Sequence, residues 1–156
     1  MAIYKVINGD GKYRDGWAIQ DVIHYATAKT GEDNIFGGAV LPEIAIESME
    51  GVSRADHKAK GTRLRHSVLS FAPNEEITPN QIKDVARQAI EYYQNDYQIL
   101  AAVHEDREHL HIHFVMNTVS YRDGSKYTGK KKDYFSFSKH LNCILRPYGR
   151  HVEPEK

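Results

Sequence analysis

An α+β domain, with a mainly antiparallel central sheet and helices packed on one face, is the fold class this sequence predicts. Three observations carry the prediction. Segments that alternate every second residue and segments with an apolar stripe every third or fourth residue follow one another without an internal repeat. Two of the strand-like segments are joined by a short polar turn, as in an antiparallel hairpin. The chain of 156 residues is long enough for one domain with a real core, so residues 1–156 read as a single unit, or as the N-terminal part of a longer protein.

Taken in order, Ala2–Ile7 reads as a strand that stops at the turn Asn8–Gly9–Asp10–Gly11. Asp15 stands where it can cap a helix from about Gly16 to Ala28, with Gly31 just past its end, and Ile19, Val22, Ile23 and Ala26 form its apolar stripe. From Asn34 to Lys60 the pattern weakens; a helix fits within Pro42–Glu50, followed by a polar loop. Leu64–Phe71 alternates as a strand. The strongest helix signal comes next: Thr78 and Gln81 make a capping box, Pro79 takes the first helical position, and Ile82, Val85, Ala86, Ala89, Ile90 and Tyr93 share one face. Tyr92, Tyr93 and Tyr97 then serve packing at the helix end. Tyr97–His104 and His109–Val119 are the two strands of the hairpin, Arg122–Ser125 is a turn, and Tyr134–Leu145 is a last helix stopped by Pro147 and Gly149.

Composition narrows the classes. Lys and Arg number 21, as do Asp and Glu, so formal charge is zero and distribution has to carry any nucleic-acid signal. Arg122, Lys126, Lys130, Lys131, Lys132, Lys139, Arg146 and Arg150 outnumber Asp123 and Asp133 between residues 120 and 150. A second basic stretch holds Arg54, Lys58, Lys60, Arg63 and Arg65. One basic face would track a phosphate backbone, and ordinary solvated charge would look the same in the sequence. Tyr121, Tyr127, Tyr134, Phe135 and Phe137 interleave with these lysines and suit either base stacking or the core of the last helix. The single Cys143 excludes an internal disulfide and a cysteine-based zinc site and suits a reducing cytoplasm. No apolar run is long enough for membrane insertion, and the first residues lack a signal-peptide pattern.

The segment from His104 to Asn117 carries the chemistry. In a strand, His109, His111, His113 and Asn117 point to one face while Leu110, Ile112, Phe114 and Met116 point to the other. The apolar set belongs under a helical layer. The imidazoles form a row opposite it, and a tight hairpin brings His104 beside them. Converging neutral imidazoles with open positions suit a catalytic metal site. Asp106, in the turn, either orients one of these rings or simply forms the turn.

The spacing His104-x-Asp106-x-x-His109-x-His111-x-His113-x-x-x-Asn117 resembles the third motif of the relaxase/mobilisation nucleases, the MOBP branch of the HUH endonucleases. Val22–Lys29 with its Tyr25 is similar to the family's first motif, Arg65–Phe71 with the capped helix to its middle strand and helix, and Phe135–Gly149 to its close. The resemblance covers nearly the whole chain. It implies His104, His111 and His113 as ligands of one divalent metal, which the sequence does not choose among Mn, Mg, Zn and Ni. It implies Tyr25 as the nucleophile, Asp106 and Asn117 as further catalytic-site residues, and His24 and His109 as secondary ones. Arg63, Arg65, Lys126, Lys130, Lys131 and Lys132 are the candidate DNA contacts. The implied activity is metal-assisted tyrosine transesterification that nicks single-stranded origin-of-transfer DNA in a bacterial cytoplasm. Accessory relaxosome proteins and a type IV secretion coupling protein are the implied partners. A hydrolase using metal-bound water and a DNA-binding module with a structural metal share the same histidines and stay open at this point.

Overall fold

Alternating strands can bury one face and still offer a polar one, and two such strands form the middle of the sheet. The computed structural model describes residues 2–7, 13–28, 30–55, 61–73, 75–105 and 109–154. Asp106, the turn at residues 8–11 and the polar loop at 56–60 lie outside the described residues. The strands are β1 (Ala2–Val6), β2 (Ile35–Gly38), β3 (Leu64–Phe71), β4 (Ile99–Glu105), β5 (Leu110–Asn117) and β6 (Val152–Pro154). The helices are α1 (Ala18–Thr27), α2 (Ala45–Ala55), α3 (Pro79–Ile90) and α4 (Lys131–Leu145). The sheet order is β2-β4-β5-β3-β1-β6, antiparallel throughout except for the parallel β1–β6 pair. The α+β class and the antiparallel sheet agree with the sequence.

The helix layer is broader than expected. α3 and α4 cover one face, over Leu69, Phe71, Ile99, Ala101, Val103, Ile112, Phe114 and Met116. α1 and α2 cover part of the opposite face, over Leu64, Leu100, Ala102 and Val115. A single covered face is therefore corrected to two. The reason is parity: the middle strands carry apolar residues on both sides, and the α1 stripe needs a surface that α3 and α4 have not already filled.

Local chemistry fixes the ends. The Thr78 hydroxyl accepts from the Gln81 N–H at 3.1 Å while the Gln81 side chain accepts from the Thr78 N–H at 3.0 Å, so the capping box forms as read. Burying Ile82, Val85 and Ile90 behind it contributes roughly 2 kcal/mol each. The Asp15 carboxylate accepts from the Trp17 N–H at 2.8 Å and turns the chain into α1, which begins two residues later than expected. α2 runs past Glu50 to Ala55, and α4 starts at Lys131 rather than Tyr134. β2 is an additional strand; a Cβ at Gly37 would collide with the Val40 carbonyl, which explains glycine there. Among the described residues no helix is long and apolar enough to cross a membrane.

Candidate active site

The hairpin register sets the site. β4 and β5 pair so that His104 lies directly opposite His111, while His113 sits one step further in, opposite Ala102. The three rings converge, with centroids 4.9 Å apart for His104–His111, 4.4 Å for His104–His113 and 4.9 Å for His111–His113. One nitrogen from each lies within 4.8 Å of the others. His109, exposed just before β5, stands outside this group.

Hydrogen bonds orient the rings. His104 Nε2 faces the Ala26 carbonyl at 2.5 Å, and because a carbonyl only accepts, that nitrogen carries the hydrogen. Nδ1 of His104 then keeps its lone pair. The Ala26 carbonyl belongs to α1, and the Thr30 hydroxyl ties the residues after α1 to the Val103 carbonyl at 2.6 Å. Helix and hairpin are thus held in register at the cluster.

A fourth imidazole, which the sequence reading missed, completes the face. His66 in β3 is buried beside His113, with its Nε2 2.9 Å from His113 Nδ1 and the ring centroids 5.1 Å apart. The Tyr13 hydroxyl lies 3.2 Å from His66 Nδ1. Burial, and after it the charges of His104, His66 and His111, holds the pKa of His113 down to about 3. Burial and then His104 hold His66 down to about 4. Both are neutral imidazoles at neutral pH, with lone pairs rather than charge to offer. His66 was available to the sequence only as a strand residue of the right parity; nothing local says which strand lies next to β5.

Tyr25 comes from α1. Ile19, Val22, Ile23 and Ala26 are buried and fix the helix rotation, which leaves Tyr25 exposed at 63%. Its ring stands edge-on to His113 at 5.6 Å and to His66 at 6.1 Å. His24 points elsewhere, into a groove of about 410 Å³ that it lines with Ile23, Glu43, Ile46 and Glu47.

Other expected site residues are placed away from this cluster. Asn117 is fully buried; its amide donates to the Met49 carbonyl and the Gln98 side chain, both at 3.1 Å, and accepts from the Val119 N–H at 3.0 Å. It fastens α2 to the end of β5 and does not join the imidazoles. Arg65 departs from the expectation of a phosphate contact. Its odd position in β3 turns it under α3 and α4, where it donates to the Tyr93 hydroxyl at 2.7 Å and lies 3.9 Å from Asp133. Its guanidinium also sits over the Tyr93 and Tyr127 rings at 5.7 and 5.1 Å. Lys126 donates to the Thr62 carbonyl at 2.8 Å, and Arg63 follows the Tyr13 carbonyl, to which its backbone N–H donates at 2.6 Å. Lys130 and Lys132 line a cleft of about 420 Å³ with Tyr92, Tyr93, Tyr97 and Tyr127 on the α3–α4 side, and Lys131 is exposed at the start of α4.

Comparison with known proteins bears on the family and the fold. Residues 24–150 match the family model described as "Relaxase: MobA/VirD2-like, nuclease domain". The chain is 39% identical over 70 residues to the group II intron-interrupted relaxase LtrB of Lactococcus lactis subsp. cremoris, a stretch of 44% of this chain and 12% of that protein. It is 30% identical over 95 residues to a protein rlx of Staphylococcus aureus, covering 61% of this chain and 30% of the relative. The chain thus spans less than a third of these relatives' own lengths. A solved chain described as "Molecular Basis of Vancomycin Resistance Transfer in Staphylococcus aureus" superposes with a TM-score of 0.66 at 12% identity, covering 100% of this chain and 99% of the other, and shares the fold.

Proposed function

The chain belongs to the relaxase family through its MobA/VirD2-like nuclease domain, and from that premise we propose that it nicks single-stranded DNA at a transfer origin by attack of the Tyr25 phenol, assisted by one divalent cation on His104, His111 and His113. One observation carries the reading: an exposed tyrosine ring stands edge-on, at 5.6 Å, to one of three clustered imidazoles. The donor set fits the cation, since His113 is held neutral and the three donor nitrogens lie close together. When bound, the cation supplies positive charge to polarise and orient the scissile phosphate. Imidazole donors suit zinc or nickel, and manganese or magnesium also fit when phosphate and water complete the shell.

The chain's own groups account for the rest. Tyr25 sits on a helix whose buried stripe holds it in one orientation, so the phenol is presented rather than searching for its target. Its oxygen forms a bond to phosphorus as the bond to the 3′-oxygen breaks; the phenolic proton leaves and the 3′-oxygen gains one. A 5′-phosphotyrosyl link and a free 3′-hydroxyl result, and reversal rejoins the strand. The position of His24 in a separate groove supports Tyr25 over its neighbour as nucleophile. Asp106 stays in the proposal as a catalytic-site residue and His109, exposed just before β5, as a secondary one, Asn117 as a residue that fixes the strand end, and Lys130, Lys131 and Lys132 as exposed candidates for DNA backbone contact.

The test is incubation with single-stranded origin DNA and a divalent cation, followed by denaturing electrophoresis. Wild type should give a covalent protein–DNA adduct that Tyr25→Phe abolishes, while DNA binding persists. Cleavage to a free 5′-phosphate with no adduct would replace the tyrosine mechanism by hydrolysis, and binding without cleavage would leave a binding module.

A further inference from the structure

Two ring nitrogens at hydrogen-bond distance share one hydrogen, and His66 Nε2 lies 2.9 Å from His113 Nδ1. Either His66 donates or His113 does. If His66 donates, neutral His113 carries its own hydrogen on Nε2, and neither of its nitrogens has a lone pair for a cation. If His113 donates from Nδ1, its Nε2 keeps the lone pair. The second arrangement obliges neutral His66 to carry its hydrogen on Nδ1, and the Tyr13 hydroxyl oxygen stands 3.2 Å from that atom, able to accept it.

We propose that His66, braced by Tyr13, is a positioning residue that fixes His113 as its Nδ1–H tautomer and so reserves Nε2 for the metal. The inference rests on the metal-site reading above and deepens it. Both rings are buried and stacked, so no solvent competes for the Nδ1 hydrogen of His113. An outer hydrogen-bond partner of this kind sets ligand tautomer and ring orientation. His104 achieves the same end differently, because its Nε2–H is committed to the Ala26 carbonyl and Nδ1 is left. The two ligands therefore present opposite nitrogens to one centre, each selected by what holds its other nitrogen. The Tyr25 ring rests edge-on against both His66 and His113, so the brace also fixes the wall beside the proposed nucleophile.

A packing role would be served by any ring of similar size, which makes His66→Phe the discriminating variant. Calorimetric titration of the whole chain with Mn²⁺ and with Zn²⁺ should show affinity lower by roughly 10–100-fold in His66→Phe. His66→Gln, whose amide oxygen reaches as far as Nε2 and accepts from His113, should restore most of it, and Tyr13→Phe should lose less than His66→Phe. A folded His66→Phe with wild-type affinity overturns the proposal. Should that variant not fold, long-range ¹H–¹⁵N spectra of the zinc-loaded wild-type chain decide: a hydrogen on His113 Nδ1 with Nε2 ligated is expected, and ligation through Nδ1 overturns it. A wild-type chain that binds neither cation sinks the metal-site reading itself, a result separate from unchanged affinity in the variant.

Discussion

Two polar clusters lie on opposite faces of the sheet at β3, and adjacent residues of that strand belong to different ones. His66 faces the imidazoles with Tyr13 and Tyr25; Arg65 faces α3 and α4 with Tyr92, Tyr93, Tyr127 and Asp133. In the second cluster the partners are turned on one another. Asp133 accepts from the hydroxyls of Tyr92 at 3.2 Å, Tyr93 at 2.7 Å and Tyr127, and pairs with Arg65. Burial pushes the Tyr93 and Tyr127 phenols up, so they remain donors to that carboxylate. In the first cluster, one nitrogen from each of three imidazoles lies within 4.8 Å of the others, a set that could hold one ion. A network closed on itself holds structure; a convergent set of donors is a site.

The largest break in that contrast comes from the site. His111→Ala removes one of the three nitrogens and should lower Mn²⁺ or Zn²⁺ affinity by more than the roughly 10–100-fold that losing an outer partner costs. Its thermal unfolding midpoint without metal should barely move, since His111 is only half-buried. Calorimetric titration beside a thermal melt reads both effects, and unchanged affinity would remove His111 from the ligand set.

Asp133→Ala should give the converse pattern. It leaves Arg65 and three phenol hydrogens without their shared acceptor, and because Asp133 is itself part-exposed the cost should be about 3 kcal/mol, the low end for breaking a buried pair. Metal affinity should stay at the wild-type value, because the sheet separates the two clusters. Urea unfolding and metal titration on the same sample check it. A fall in metal affinity with no loss of stability would mean that the two faces are not separate.

Asn117 sharpens the comparison because it shares the histidine face yet behaves like the closed cluster. Its parity with His113 made it look like a site residue. Four residues along a strand is roughly 13 Å, however, and at that distance it meets α2 rather than the imidazoles. Asn117→Ala should cost about 2 kcal/mol, since the Met49 carbonyl, Gln98 and the Val119 N–H lose a buried partner, with metal affinity kept. Equal loss of metal affinity in a variant that stays folded would return Asn117 to the site.

What the sequence made legible follows from which distances are local. The hairpin could be read because its two strands are separated by one turn, which brings His104 beside the histidine row when it closes tightly; Tyr25 is singled out by the family resemblance, and its place off the α1 stripe is compatible with that without requiring it. His66 could not, because β3 and β5 are about 40 residues apart in sequence and their register is set by tertiary packing. Arg65 reads as a DNA contact because it stands in a basic stretch of the sequence, and only the α3–α4 layer reveals a cage for it. β2 and β6 are four and three residues long, and β2 ends in two glycines, so neither shows an alternation to read.

The smallest effect tests whether the far face is energetically independent of the site. Thr78→Ala removes the hydroxyl that caps α3, whose loss should cost about 1 kcal/mol and lower the melting midpoint by a few degrees. α3 packs on the Arg65 side of the sheet, and its buried residues Ile82, Val85, Ala86, Ala89 and Ile90 all belong to that core. A fraying of its first turn therefore reaches no imidazole and no residue of α1. Metal affinity and Tyr25 adduct yield, measured below the melting transition, should match wild type. If adduct yield falls in proportion to stability, α3 and the catalytic helix are coupled through the sheet, and the division into a closed structural face and an open chemical one does not hold.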